Sequence, residues 1–384
     1  MAELADYADR EQAWVKHWML RKYLERLVLK VGTRWKRFVY IDGFAGPWGE
    51  RTEDLSDTSF GTAIDVMHSC QTSLAERGKS IPMRAAFFEK DWRRAAKLRQ
   101  YAKEHSTAAL SIDAYHADFM DHIDKIAAEL RDDDFTFVFL DPKGYKEMVP
   151  NRLAPVLRKR GVEVLINVMW DFMNRFWSTE QAPVLDEIFG RDRRERCSEL
   201  NLERDANRLY AERLRDAAGA HGGRLYAATF PVQHPTKART HYFLVYTTHA
   251  SIGLLTFDDV AKATWREQAL TKAKTVVRRQ SAGADLFGCN VHDVKYERKI
   301  DASELREAWL GLMPVVGAEI VVTYDVMAEL LERCGCLTSD LQAAALQLIQ
   351  QGVLVNRSID ESAQRRRTKN AVALKESETL RRLR

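Results

Sequence analysis

The residues best able to do chemistry stand at the ends of apolar, β-rich runs. The first run, Arg37-Phe38-Val39-Tyr40-Ile41, ends in Asp42, which opens the loop Gly43-Phe44-Ala45-Gly46-Pro47-Trp48-Gly49. Glycines at 43, 46 and 49 allow backbone to come close to a ligand. The spacing is Asp-Gly-x-x-Gly-x-x-Gly, not the Gly-x-Gly-x-x-Gly of dinucleotide binders. No Gly-x-x-x-x-Gly-Lys-Ser/Thr phosphate loop occurs in the chain. Three more runs end in acids: Met83–Phe88 at Glu89, Ser111–His116 at Ala117-Asp118, and Phe135–Leu140 at Asp141. Open α/β sheets bind ligands outside the carboxyl ends of their strands, so four acids at successive strand ends mark one candidate edge.

Each acid has a chemical and a structural reading. Asp42 either supports the turn beside a ligand's amino group or caps the following helix. Glu89 is suited to accept both hydroxyls of a ribose, as the acid after the second strand does in dinucleotide binders; its other reading is a surface acid. It lies 47 residues after Asp42, against about 20 in those binders, which places an insertion at 50–80. Asp118 either accepts from an adenine amino group, with Phe119 on the ring, or caps a helix. The run Asp141-Pro142-Lys143-Gly144-Tyr145 sets a carboxylate, a backbone carbonyl, a cation and an aromatic ring close together. That set suits an acceptor amino group: the carboxylate takes its hydrogens and the ring stacks on its base. Lys143 also suits a phosphate.

The elements that must position these residues follow from hydrophobic period. Glu11 to Val31 reads as an amphipathic helix. Helices at Gly61–Cys70, Trp92–His105, Phe119–Leu130 and Arg152–Arg160 alternate with the acid-bearing strands and with Val162–Val168. This alternation predicts a mostly parallel sheet with right-handed crossovers. Arg224–Val232 and Thr240–Thr247 read as an antiparallel hairpin closing it. Beyond residue 297 the pattern changes to helices at Asp301–Leu312, Thr323–Cys334 and Leu341–Gln350, then Gly352 and the short strand Val353-Leu354-Val355. That order predicts a winged-helix-like module at 297–384, after an α/β domain at 1–296.

Bulk properties exclude several classes. The 384 residues are 46% apolar, enough for a sizeable core, yet no apolar run approaches the roughly 18 residues of a membrane span. The polar start Met1-Ala2-Glu3-Leu4-Ala5-Asp6 is unlike a secretory signal. Cys70, Cys197, Cys289, Cys334 and Cys336 are odd in number and scattered, which fits a reducing cytoplasm. Cys289-Asn290-Val291-His292 and Cys334-Gly335-Cys336 match no common zinc module, and no metal site is expected. The net charge is +4. Two stretches, 262–279 and 357–384, are basic; the second holds nine Lys/Arg against four Asp/Glu. Each reads as a phosphate-contact surface for nucleic acid or as a solvated face. Leu341–Leu348, the third helix of the module, carries no Lys or Arg, which weighs against groove reading.

Two motifs carry a resemblance. Asp42 before Phe44-Ala45-Gly46 resembles the S-adenosylmethionine loop of nucleic-acid methyltransferases. Asp141-Pro142-Lys143-Gly144-Tyr145 resembles the segment where amino-group methyltransferases carry an acid or amide, two prolines and an aromatic, with Lys143 for the second proline and the aromatic displaced. The chain as a whole resembles the three-Cys-motif partner proteins, bacterial and phage proteins with a methyltransferase-like domain. The likeness rests on Lys16 to Tyr23-Leu24, Tyr40–Pro47, Phe88-Glu89-x-Asp91, Leu140-Asp141-Pro142-x-Gly144, Val164–Asn167 and Tyr242-Phe243-Leu244 before Thr248-His249. It covers residues 10–270. It implies a Rossmann-like class I methyltransferase sheet with S-adenosylmethionine as cofactor. Asp42, Gly43, Phe44, Ala45, Gly46, Glu89, Asp118 and Phe119 would hold the cofactor, and Asp141, Pro142, Lys143 and Tyr145 would form the reacting end. It also implies a genomically linked three-Cys-motif partner, a radical or metal enzyme, and no membrane. The chain departs from the family at Trp48, where glycine is usual, and at Lys143, where proline is common. Trp48 either crowds the methionine end of the cofactor or stacks on a substrate. Two functions follow: a methyltransferase acting on a nucleic acid or nucleobase-like acceptor, or a non-catalytic module serving its partner. A third, a metal-dependent nuclease, requires the four strand-end acids to converge.

Overall fold

The computed structural model describes residues 2–32, 34–46, 52, 54–179, 183–219, 223–281 and 301–384. Pro47, Trp48, Gly49, Cys289 and His292 lie outside them. The chain forms two units: Met1–His249 with Ala263–Lys295, and Ala250–Lys262 with Tyr296–Arg384.

In the first unit the elements are α1 (Glu11–Val31), β1 (Arg37–Asp42), α2 (Ser59–Ala75), β2 (Met83–Glu89), α3 (Trp92–His105), β3 (Leu110–His116), α4 (Phe119–Glu129), β4 (Asp134–Leu140), α5 (Pro150–Leu157), β5 (Val162–Val168), α6 (Trp170–Arg175), α7 (Pro183–Phe189), α8 (Arg193–Arg196), α9 (Leu202–Ala218), β6 (Tyr226–Gln233) and β7 (Thr240–Thr248). The long α10 (Ser251–Ser281) follows. The seven strands are ordered β3-β2-β1-β4-β5-β7-β6. The first five are parallel, and β7 runs antiparallel to β5 and to β6. This is the Rossmann-like class I methyltransferase sheet, with the hairpin β6–β7 at its closing edge.

The strands form where apolar residues run unbroken. β4 and β5 are buried along their whole length, as strands covered by helices on both faces must be. Short polar residues start the helices: Thr58 accepts from Gly61 N–H at 3.1 Å, Asp91 from Arg94 N–H at 3.0 Å and Asp118 from Met120 N–H at 2.9 Å. A buried polar knot fixes α1 on the sheet. Tyr23 donates to Glu163 Oε2 at 2.6 Å and lies 2.6 Å from the Tyr246 hydroxyl. Thr248 donates to Glu163 Oε1 at 3.0 Å. Burial holds the Glu163 carboxyl above its ordinary pKa.

The basic stretch 262–279 lies on α10, where it is partly a packing face. Arg278 pairs with Glu11 and comes within 3.8 Å of Asp9. Gln268 Oε1 accepts Gln233 N–H at 2.9 Å.

The second unit contains α11 (Ala302–Gly311), β8 (Glu319–Val321), α12 (Tyr324–Cys334), α13 (Thr338–Gln350), β9 (Leu354–Asn356), α14 (Glu361–Arg366) and β10 (Thr379–Arg382), with the strands in the order β8-β10-β9. Helix, strand, two helices and two strands, with the short α14 set between the last two strands, is the winged-helix order. The boundary differs from the expected 296/297 because Ala250–Lys262, the start of α10, clusters here; Asp258 Oδ2 accepts Thr338 N–H at 3.0 Å. The basic tail 357–384 is largely folded into the module. Arg367 pairs with buried Glu378, Nη2 to Oε1 at 2.6 Å, and Arg382 donates to the Met313 and Pro314 carbonyls at 3.0 and 3.1 Å. Arg367 and Arg382 thus hold protein, while Arg365, Arg366 and Lys369 stand exposed.

Tyr23→Phe should test the α1 knot. It removes a donor from a buried carboxyl, and a hydrogen bond of that kind contributes about 1.5–3 kcal/mol. The unfolding free energy should fall by that amount, seen as a lower urea midpoint with an unchanged slope; an unchanged midpoint would show that the knot adds nothing to stability.

Candidate functional site

β1 carries Asp42 to the carboxyl edge and buries it completely. Its Oδ1 accepts Phe44 N–H at 3.1 Å, and its Oδ2 accepts the Ser59 hydroxyl at 2.7 Å. The cap of α2 is Thr58, so Asp42 braces the turn and the first residue of the helix without capping it. Burial pushes the Asp42 carboxyl up to about 7; the bonds from Ser59 and Phe44 oppose this, the nearby Asp141 charge adds to it, and Lys16 opposes it.

The loop spends its donors on the protein. Gly43 N–H goes to the Phe139 carbonyl at 3.0 Å, Ala45 N–H to the Phe88 carbonyl at 3.0 Å, and Phe44 N–H to Asp42. A phosphate cradle presents such amides to its ligand, and these three present none. Gly43 answers to the core as well: a Cβ there would stand 2.7 Å from Leu140 Cδ2 and 3.0 Å from Phe119 Cγ. Close packing of chain on chain therefore requires this glycine, where the sequence pointed to a ligand.

Glu89, the last residue of β2, is 5% exposed. Its Oε1 accepts Asp91 N–H at 2.7 Å, which aims the carboxylate along the edge. No second hydrogen bond reaches it among the described residues. Asp118 takes its structural reading, as the cap of α4. Phe119 is a core ring, buried 5.5 Å from Phe88 and 6.5 Å from Phe44 between centroids. It offers no open face for an adenine, because Gly43 and Leu140 close over it. This corrects the stacking expected of it.

Asp141, one residue past β4, is the centre of the edge. Lys16 from α1 forms an ion pair with its Oδ2, and Asn167 Nδ2 donates to its Oδ1 at 2.5 Å. The pair is mostly enclosed, with Lys16 and Asp141 side chains 10% and 21% exposed. The Lys16 ammonium lies 5.9 Å from the centre of the Tyr242 ring, whose hydroxyl donates to the Gln12 carbonyl. Asn167 Oδ1 is buried with no hydrogen-bond partner among the described residues. Pro142 is buried, Lys143 exposed and Tyr145 half-buried. Partial burial and the Arg94 charge lower the Lys143 pKa, and Glu89 opposes them, so these three share one neighbourhood.

Lys16 and Asn167 helped carry the resemblance but were given no chemical role in the sequence reading. Asn167 had a usable signal, since it stands near the end of its strand as the acids do. Lys16 had a fainter one: it falls among Val15, Met19, Leu20 and Tyr23 on the buried side of α1, where an unpaired lysine would be costly. Among the described residues no group of three His, Cys, Asp or Glu is arranged to hold a metal ion. Asp42, Glu89, Asp118 and Asp141 are each held by different partners. Cys70, Cys197, Cys334 and Cys336 form no disulfide among the described residues. No helix among the described residues is long and apolar enough to cross a membrane.

No protein-family model matches the chain, and no curated protein matches it. Among solved structures, it is similar to an O-methyltransferase from Bacillus cereus in complex with SAH, at 14% identity, over 59% of this chain and 80% of that one, with a TM-score of 0.33. It is also similar to the O-methyltransferase TomG of Streptomyces achromogenes, in complex with SAM and involved in tomaymycin synthesis. That likeness is at 11% identity over 59% and 78% of the two chains, with a TM-score of 0.32. A putative O-methyltransferase from Klebsiella pneumoniae matches at 14% over 60% and 80%, TM-score 0.32. At such identities and scores the fold assignment rests on the strand order itself.

Asp42 makes the folded state sensitive to pH. Its carboxyl ionises at about 7 when folded and near 3.9 when unfolded. A raised folded value favours the fold fully below pH 4, and that advantage is lost as pH rises through 7. The loss is at most about 4 kcal/mol at 1.36 kcal/mol per pH unit. Asp42→Asn keeps an acceptor for Phe44 N–H, turns its amide NH2 toward the Ser59 oxygen, and removes the ionisation. Urea unfolding at pH 5 and pH 8 should show a smaller drop for the variant; equal drops would mean Asp42 is ionised throughout.

Proposed function

We propose that this chain is a methyltransferase that binds S-adenosylmethionine at the carboxyl edge of β1, β2 and β4, and that its acceptor is a nucleobase-like amino group. The observation that carries the reading is the edge itself: strand-end carboxylates beside a turn whose Gly43, Phe44 and Ala45 amides are already spent. Such an edge disfavours phosphate and favours hydroxyls and positive charge. S-adenosylmethionine has a ribose diol, a cationic sulphur and an ammonium group, and when bound it supplies an electrophilic methyl group. Glu89, with one oxygen fixed by Asp91 N–H, is placed to accept from the diol. Asp42 braces the turn that Gly43, Phe44 and Ala45 make beside the ligand, and its partly protonated state near neutrality is set by its burial. Phe119 supports that turn from below. Asn167 Oδ1, buried without a partner among the described residues, is an acceptor beside Asp141 for a donor on the ligand or the acceptor group.

A specific observation also favours the non-catalytic reading, in which the chain serves a genomically linked radical or metal enzyme. Both Asp141 oxygens are engaged, one by Lys16 and one by Asn167. For Asp141 to take the hydrogens of an amino group, the Lys16 ammonium must give way. In a binding module the pair would simply persist.

Calorimetry with S-adenosylmethionine and S-adenosylhomocysteine tests the first reading. Glu89→Ala should weaken either by about 2–4 kcal/mol, roughly 30- to 1000-fold, without unfolding the chain. No heat with the wild type, or unchanged affinity in the variant, would remove the cofactor from this edge. Asp141→Ala should leave cofactor affinity within a few-fold while abolishing transfer from labelled S-adenosylmethionine to RNA or DNA. Wild-type turnover in that variant would take Asp141 out of the reaction.

A further inference from the structure

We propose that Tyr145, Phe172 and Phe176 form a shelf on which an unpaired base of a single-stranded nucleic acid lies. The shelf gets its purpose from the methyl-transfer reading, but its test does not depend on that reading.

Phe172 lies on α6 and Phe176 one residue past its end, and both are 42% exposed. Their ring centroids are 5.2 Å apart with planes tilted by 50°, and Tyr145 is 5.2 Å from Phe172 at a tilt of 32°. The segment sorts its aromatic residues sharply. Trp170, Met173 and Trp177 are buried, with Trp170 5.5 Å from Phe243 and 5.8 Å from Trp177. The core therefore needs those three and leaves Phe172 and Phe176 facing out. Single exposed apolar residues are ordinary, but a contiguous row of rings marks a binding surface.

The position ties this row to the chemistry. α6 begins just after β5, whose Asn167 holds Asp141, and Tyr145 follows Asp141 by four residues in the β4–α5 loop. One edge thus carries both the acid and the rings. Charge then selects the occupant. Asp171 holds Arg239 at 2.8 Å and Arg175 at 3.7 Å, with Arg175 63% exposed. Lys143 and Lys146 flank Tyr145 and are exposed, against Glu147. Cations outnumber carboxylates around the rings. Flat apolar faces ringed by cations fit bases on a phosphate backbone, the combination by which single-strand binders work. Bases inside a duplex are stacked on one another and cannot reach such a row.

The test is a fluorescence anisotropy titration with a short labelled single strand, as DNA and as RNA, with the matching duplex and AMP as competitors, and without S-adenosylmethionine. The single strand should bind, and the duplex and AMP should compete poorly. Phe172→Ala and Phe176→Ala should each weaken binding about tenfold, the size of a lost stacking contact. Phe172→Trp should preserve affinity, and circular dichroism should show both alanine variants folded. Lys143→Ala should lower the slope of log affinity against log salt by about 0.7. No binding to single strands, preference for duplex, equal affinity for AMP, or wild-type affinity in the Phe172→Ala/Phe176→Ala double variant would each overturn the shelf. S-adenosylhomocysteine should bind Phe172→Ala as it binds the wild type, so failure of the cofactor site and failure of the shelf are separate results.

Discussion

The carboxyl edge of this sheet holds acids in a nearly dry environment, and one ammonium group makes that tolerable. Lys16 comes from α1, far away in sequence, and sits against Asp141 within the field of Asp42. Without it two carboxyl groups would face each other beside the buried ends of β1 and β4. A largely enclosed ion pair gives little net stability, because desolvation of both ions offsets their attraction. What it fixes is direction. Asp141 is pinned between Lys16 and Asn167, and α1 is in turn pinned by the Glu163 knot below. The position of the Asp141 carboxylate therefore depends on how α1 seats on the sheet.

The same economy appears in the loop after β1. Its residue types resemble a ligand loop, yet the distances show that chain packing uses them first. Gly43 is small because Leu140 and Phe119 occupy the space, and its amide extends the hydrogen bonding of the sheet by one step to Phe139. Gly43, Phe44 and Ala45 have spent their amides on the chain, so what these three residues leave at the edge is carbonyls and Cα atoms beside the carboxylates, unlike the free amides of a phosphate cradle.

The sheet was legible because its signals are local. Phe135–Leu140 and Val162–Val168 are unbroken apolar runs, and helices of ordinary length separate the strands, so class and strand ends could be read directly. The hairpin β6–β7 was equally clear. The small strands β8 and β10 were not. Glu319–Val321 has three residues, and Thr379–Arg382 reads as a charge cluster until Arg382 is seen bonding the Met313 and Pro314 carbonyls. Likewise, a charge run carries no mark of which of its cations, here Arg367 and Arg382, fold inward. Ala250–Lys262 changed units because a helix that crosses a boundary has no break in its sequence.

At the site, the positions of the acids were legible but their partners were not. Strand-end placement follows from period, whereas the Lys16–Asp141 and Asn167–Asp141 contacts depend on packing between elements distant in sequence. The misreading of Phe119 has the same origin. A residue after a strand-end acid can turn toward the ligand or toward the core, and the choice is made by whatever else needs the space. Here Gly43 leaves room for the ring, and the ring fills it. Phe172 and Phe176 show the converse: Trp170, Met173 and Trp177 already satisfy the core beneath α6, so the remaining rings stay outside. Which aromatic residues are available to a ligand is thus decided by saturation of the core, a property of the whole packing arrangement that no single motif contains.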